Sequence, residues 1–155
     1  MELTKGMKAP EFCLRDQDDT EVCLKNLKGR WVVAYFYPKD DTPGCTIEAI
    51  EFSGLSKEFD KSNAVVLGIS PDSGKRHCNF IEKHGLQVQL LTDPDKKAIK
   101  QYGAWGKKMM YGKEVEGVIR STVLIDPQGR VAHHWSNVAP KGHGAEVLGI
   151  LKRLC

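Results

Sequence analysis

The sequence predicts an α/β fold: a mixed central β-sheet flanked by helices, with an N-terminal β-hairpin. Three observations carry this. Residues 12–24 alternate apolar and polar around a turn. Trp31–Tyr37 and Ala64–Ile69 are continuous β-rich runs, which suit strands buried on both faces. Segments of helical period follow each of them. Strand–helix–strand–helix, then a hairpin and a last helix, is the order of a sheet covered by helices.

In the hairpin, Phe12, Leu14, Val22 and Leu24 alternate with Cys13, Arg15, Glu21 and Cys23, and Gln17-Asp18-Asp19 is turn-like. Centring the turn on Asp18 pairs Phe12 with Leu24, Leu14 with Val22 and Arg15 with Glu21, so like meets like on one face and opposite charges meet on the other. That register sets Cys13 opposite Cys23. The pair reads as two reduced thiols, with a cross-strand bridge as the alternative. After the strand Trp31–Tyr37 and the loop Pro38–Asp41, a helix is expected from Pro43 to Phe59, with Ile47, Ile50, Leu55 and Phe59 on its apolar stripe. Ala64–Ile69 is the second buried strand. Ser70-Pro71-Asp72-Ser73 starts a helix that runs to His84 and stops at Gly85. Gln89–Leu91 is a short strand and Asp93–Tyr102 a short helix. Val118–Asp126 and Arg130–His134 form a hairpin around Pro127-Gln128-Gly129, and Gly144–Leu154 is the last, amphipathic helix.

A chain of 155 residues suits one domain, 1–155, with one core. Hydrophobic residues at 41% and charged residues at 28% argue against disorder. A net charge of +3 with scattered lysines is no nucleic-acid footprint. The longest apolar run, Trp31 to Tyr37, is far short of a membrane span. The stretch Met1–Gly6 lacks the apolar core of a signal peptide, so the expected compartment is the reducing cytoplasm.

Five cysteines (Cys13, Cys23, Cys45, Cys78 and Cys155) make an odd set with no CxxC. The odd count argues against a disulfide framework, and the spacing excludes a zinc ribbon and the usual dithiol of a disulfide reductase. The five histidines show no ligand spacing, so no metal is expected. Cys45 stands apart. In Pro38-Lys39-Asp40-Asp41-Thr42-Pro43-Gly44-Cys45-Thr46 a buried strand gives way to a helix, with Thr42 as N-cap and Pro43 as the first helical residue. Cys45 then lies in the first turn, among unpaired backbone N–H groups at the positive end of the dipole, where thiolate is favoured over thiol. A lone thiolate suits an electrophile that needs one sulfur at the moment of attack, and peroxide oxygen is such a partner. From position alone, a small residue filling a tight helix start is an equal reading.

The stretch resembles the peroxiredoxin signature P-x-x-x-T-x-x-C, here Pro38, Thr42 and Cys45. The longer run Tyr37–Thr46, with Glu48 after it, is similar to the bacterioferritin comigratory protein, or peroxiredoxin Q, subfamily. The likeness extends through Gly6–Phe12, Tyr102–Gly106, Gly117–Thr122 and Pro140–His143. It implies a thioredoxin-like fold and thiol-dependent reduction of hydrogen peroxide and organic hydroperoxides, with no metal, haem or flavin. It further implies a monomer recycled by thioredoxin or a similar dithiol. Cys45 would be the peroxidatic thiolate, Arg120 the guanidinium that stabilises it, Thr42 a group directed at the peroxide, and Pro38 a shield from water. Glu48 also matches; a carboxylate one turn from Cys45 is expected to be paired with a cation, or else to be an exposed first-turn acid.

The sequence departs from the family where many relatives carry a resolving cysteine five residues after the peroxidatic one. Ile50 stands there and reads as core. Other relatives place the resolver on the helix after the second central strand, and there Cys78 is the candidate. Cys155 and an external thiol are the alternatives, and a thiol-disulfide oxidoreductase on the same fold is a more distant one. Helix starts are not expected to lie within the roughly 7 Å a disulfide needs between Cα atoms. The expectation is that both helix starts unwind on oxidation, eased by Gly44, Ser73 and Gly74.

Overall fold

The computed structural model describes residues 3–155. Met1 and Glu2, part of the N-terminal stretch read above, lie outside the described residues. The strands are β1 (Cys13–Asp16), β2 (Glu21–Cys23), β3 (Trp31–Phe36), β4 (Ala64–Ser70), β5 (Gln89–Thr92), β6 (Trp105–Met110), β7 (Lys113–Val118), β8 (Ser121–Ile125) and β9 (Val131–Trp135). The helices are α1 (Pro43–Gly54), α2 (Ser56–Lys61), α3 (Gly74–His84), α4 (Lys97–Gln101) and α5 (His143–Leu154). Among the described residues, seven strands form one sheet in the order β2-β1-β5-β4-β3-β8-β9, and β6 pairs with β7 apart from it. β3, β4 and β5 run parallel, while β1, β2, β8 and β9 pair antiparallel, so the sheet is mixed.

The hairpin has the register expected of it: Cys13 faces Cys23, Leu14 faces Val22, Arg15 faces Glu21, and the Leu24 N–H donates to the Phe12 carbonyl. Its two thiols are joined in a disulfide, against the reading of two free thiols. Opposed positions of an antiparallel pair bring the two sulfurs together with no backbone movement; here the Cα atoms are 4.0 Å apart.

β3 is buried on both faces, as its unbroken apolar run requires. Its alternate side chains divide the core. Val32, Ala34 and Phe36 pack with Ile99, Tyr102, Val123 and Ile125. Val33, Tyr35 and Tyr37 pack with Cys45, Phe52, Phe80, Val147 and Leu151, which belong to α1, α3 and α5. The segment expected as one helix from Pro43 to Phe59 is two, broken at Leu55 after Gly54. Half of its expected stripe holds: Phe59 is buried and Leu55 packs against the same core, but Ile47 and Ile50 are exposed while Cys45, Glu48, Ala49 and Phe52 face inward. α3 keeps the predicted ends: the Ser73 hydroxyl accepts from the Arg76 N–H, and Gly85 closes the helix at φ 61°, a left-handed turn suited to glycine.

Two elements were not anticipated. A 3-10 turn follows β2 at Leu24–Leu27. The hairpin β6–β7 turns on Tyr111 and Gly112, both at positive φ. It ends at Val118, so β8 begins at Ser121 and not at Val118 as expected, leaving Arg120 in the short link between two strands. Among the described residues, no helix is long and apolar enough to cross a membrane.

Candidate active site

β8 runs antiparallel to β3 with Ser121 opposite Phe36. The residue just before β8 is therefore brought beside the C-terminal end of β3, where the loop to α1 leaves. This register delivers Arg120 to Cys45 from 75 residues away. The Arg120 backbone carbonyl accepts from the Val138 N–H, which fixes the link. Its guanidinium then makes two contacts: Nη1 donates to Glu48 Oε1 at 2.7 Å and Nη2 to Cys45 Sγ at 3.3 Å.

Cys45 is the third residue of α1, as expected from Thr42 as N-cap and Pro43 as the first helical residue. Its side chain is 1% exposed. The Thr42 backbone has the extended N-cap conformation, but its hydroxyl does not cap the helix and instead donates to the Lys39 carbonyl at 2.8 Å. That bond uses its proton and leaves its lone pairs to accept from a bound hydroxyl or hydroperoxide. Pro38 and Arg120 line a cavity of about 500 Å³ together with Met109, Ile119 and Val138; Cys45 itself is not part of its wall.

Glu48 is fully buried and so is not the exposed first-turn acid. Burial pushes its carboxyl up to about 7, against the pull of Arg120. Arg120 is also shifted up, though for a different reason: burial works against its charge, but the Cys45 sulfur and Glu48 more than offset that and strengthen its hold on the proton. Glu48 thus keeps the guanidinium turned toward the sulfur rather than toward solvent.

Gly44 completes the geometry. A Cβ there would stand 3.0 Å from Arg120 Nη2 and 3.3 Å from the Pro140 ring. A side chain there would crowd the guanidinium.

Cys78 does not meet Cys45. It is exposed in the second turn of α3, and its thiol donates to the Gln17 carbonyl in the β1–β2 turn at 2.9 Å. Both are free thiols, as is Cys155. Sequence reasoning did not single out Asp40, which is buried beneath the loop with His77 and Tyr37. The sign available in the sequence was an acidic pair, Asp40-Asp41, between a strand and a helix, which was read only as loop.

Comparison with known proteins places the chain in a family. Residues 5–134 match the AhpC/TSA family. The putative peroxiredoxin bcp of Helicobacter pylori is 53% identical over 146 residues, covering 94% of this chain and 96% of that one. Peroxiredoxin Bcp of Bacillus subtilis is 43% identical over 152 residues, 98% of this chain and 97% of that one. A cysteine-to-serine variant of Xanthomonas campestris peroxiredoxin Q superposes with a TM-score of 0.91 at 40% identity, covering 98% of this chain and all of the other. Bacterioferritin comigratory protein of the same organism, described for its alkyl peroxide reduction activity, gives 0.87 at 42% identity over 92% of this chain and 91% of that one. The thioredoxin-like fold, the helix-start cysteine and these likenesses agree, and the chain belongs to the AhpC/TSA family, in its Bcp or peroxiredoxin Q branch, as a thiol-dependent peroxidase.

Proposed function

We propose that this protein reduces hydrogen peroxide and organic hydroperoxides through Cys45. The sulfur, as thiolate, attacks the terminal peroxide oxygen. The S–O bond forms as the O–O bond breaks, and the leaving alkoxide or hydroxide takes up a proton. Cys45 becomes a sulfenic acid, oxidised by two electrons. Arg120 neutralises the thiolate and then the charge that develops on the peroxide, at the cost of no reorganisation because Glu48 already holds it in place. Thr42 accepts from the peroxide hydroxyl, and Pro38 covers the approach. Together they align the oxygens for in-line displacement.

The observation that carries this reading is the 3.3 Å approach of Arg120 Nη2 to Cys45 Sγ in a buried setting, with Glu48 behind it. A cysteine serving as filler has no call for a guanidinium on its sulfur.

Cys78 is the proposed resolver. Its thiol displaces the sulfenic hydroxyl as water and forms a disulfide with Cys45. A thioredoxin-type dithiol then reduces that bond by thiol–disulfide exchange. Because Cys45 is buried on α1 and Cys78 exposed on α3, bond formation requires both helix starts to unwind. The proposed setting is a cytoplasmic monomer. Peptide mapping after one equivalent of peroxide tests the assignment: a Cys45–Cys78 bridge is the expected product, and a Cys45 bridge to any other residue overturns it. A Cys45 left as sulfenic acid with Cys78 still free supports resolution by an external thiol instead.

A further inference from the structure

The loop that carries the active-site residues is fastened to α3 by two consecutive acids. Asp40 points inward. Its carboxylate accepts from the Tyr37 hydroxyl at 2.5 Å and meets His77 Nδ1 at 2.6 Å, and its backbone N–H donates to Asp72, ahead of α3, at 2.8 Å. Asp41 points outward, to Lys83 at 2.8 Å and His84 at 3.0 Å near the other end of the same helix.

The inner contact is unusual in its setting. The His77 and Asp40 side chains are 0% and 2% exposed. His77 Nε2 lies 3.0 Å from the Leu91 carbonyl, which can only accept, so that nitrogen carries a proton and Nδ1 is the one turned to Asp40. Nδ1 and Asp40 Oδ2 share one proton and the second carboxylate oxygen accepts from the Tyr37 hydroxyl, so the cluster is complete only with that proton in place. Such a network is strong while complete and costly once one member leaves. His77 is also the residue before Cys78 in the chain. Moving either the loop or the second turn of α3 pulls the pair apart.

We infer that the Asp40–His77 pair is a clasp holding the Cys45 loop on α3, and that its opening sets how fast oxidised Cys45 is resolved. The inference rests on the peroxidase reading above, in which α1 and α3 unwind together. The clasp keeps the sulfur packed for attack on peroxide and delays the step that follows. Asp40 and His77 are positioning residues in this scheme, since neither touches the sulfur.

Stopped-flow fluorescence separates oxidation of Cys45 from the later disulfide step. In Asp40→Ala, which removes both acceptor oxygens, the ratio of the second rate to the first is expected to rise about tenfold. The share of chains lost to sulfinic acid at a fixed excess of peroxide is expected to fall with it, because sulfinic acid forms only from sulfenic acid that waits. His77→Asn should act alike, and the double variant should exceed neither, as befits one broken contact. An unchanged ratio overturns the inference.

Amide hydrogen exchange in a Cys45→Ser background reads the clasp without any chemistry. Asp40→Ala is expected to speed exchange in residues 43–46 and 76–80 together, and acceleration confined to the first segment overturns the inference. This readout does not depend on which thiol resolves, so failure of the Cys78 assignment is seen separately, as disulfide formation persisting in Cys78→Ser. Should Asp40→Ala not fold, Asp41→Asn weakens the outer, exposed grip and is expected to shift the ratio the same way by about twofold; no shift there counts against the clasp.

Discussion

The start of α1 and the β1–β2 hairpin use the same residue type to opposite ends. At the start of α1 a single cysteine is buried, unpaired, and faced by a guanidinium. In the hairpin two cysteines sit directly opposite one another at the sheet edge and close on each other, with Cys13 exposed. A thiol becomes a nucleophile where the fold supplies a cation and withholds a partner. It becomes a staple where register supplies the partner. The difference lies in the neighbours rather than in the sulfur.

The comparison is broken most severely at Cys45. Cys45→Ser is expected to lower peroxide turnover on the order of a thousandfold or more, as removal of a nucleophile does, with far-ultraviolet circular dichroism unchanged. Arg120→Met comes next, with a loss of roughly a hundredfold or more in the rate of Cys45 oxidation, the size seen when one preorganised charge-stabilising donor is removed. The same rate measured for Cys13→Ser should stay within about twofold of the parent. The hairpin variant is expected to lose stability instead. Closing a loop of sequence separation 10 contributes about 2–3 kcal/mol through the unfolded chain, so urea unfolding should show Cys13→Ser weaker by about that amount, and the parent equally weakened by a dithiol reductant.

The smallest effect sharpens the comparison by pH. Glu48 has a folded value of about 7 against an ordinary 4.5, so the folded chain holds its proton more tightly than the unfolded chain. Stability is therefore full at and below about pH 4.5, falls as pH rises toward 7, and levels off above it, with a total penalty of at most about 3 kcal/mol. Glu48→Gln should flatten that slope in urea titrations between pH 4.5 and 8. A slope that survives in Glu48→Gln assigns it to another group.

Much of this architecture was legible because local and long-range signals coincided. The hairpin register followed from alternation and charge pairing alone. The ends of α3 followed from Ser73, whose hydroxyl caps the helix, and from Gly85, whose left-handed turn closes it. β6–β7 escaped because Lys107, Lys108, Lys113, Glu114 and Glu116 obscure any apolar alternation. Its marks were instead Tyr111-Gly112 as a two-residue turn and Lys107 set opposite Glu116. The first half of the α1 stripe failed for a physical reason: two of the inward positions, shared with Ala49 and Phe52, are given to Cys45 and Glu48, which leaves Ile47 and Ile50 exposed. A hydrophobic count reads such a helix backwards. At the site, Cys45, Thr42 and Pro38 were visible as a local motif. Arg120 came only through family likeness, because strand pairing across 75 residues leaves no trace in spacing. Asp40 and His77 were invisible for the same reason, since a buried carboxylate declares itself only once its imidazole is found.

Gly44 carries a further consequence. Even the smallest side chain at that position would stand 3.0 Å from Arg120 Nη2, so the guanidinium has to give by a few tenths of an ångström, and Gly44→Ala is expected to slow Cys45 oxidation by less than Arg120→Met does, without altering a single charged group. A redesign that improves the helix propensity of α1 at residue 44 therefore sets a gain in helix against a displaced guanidinium.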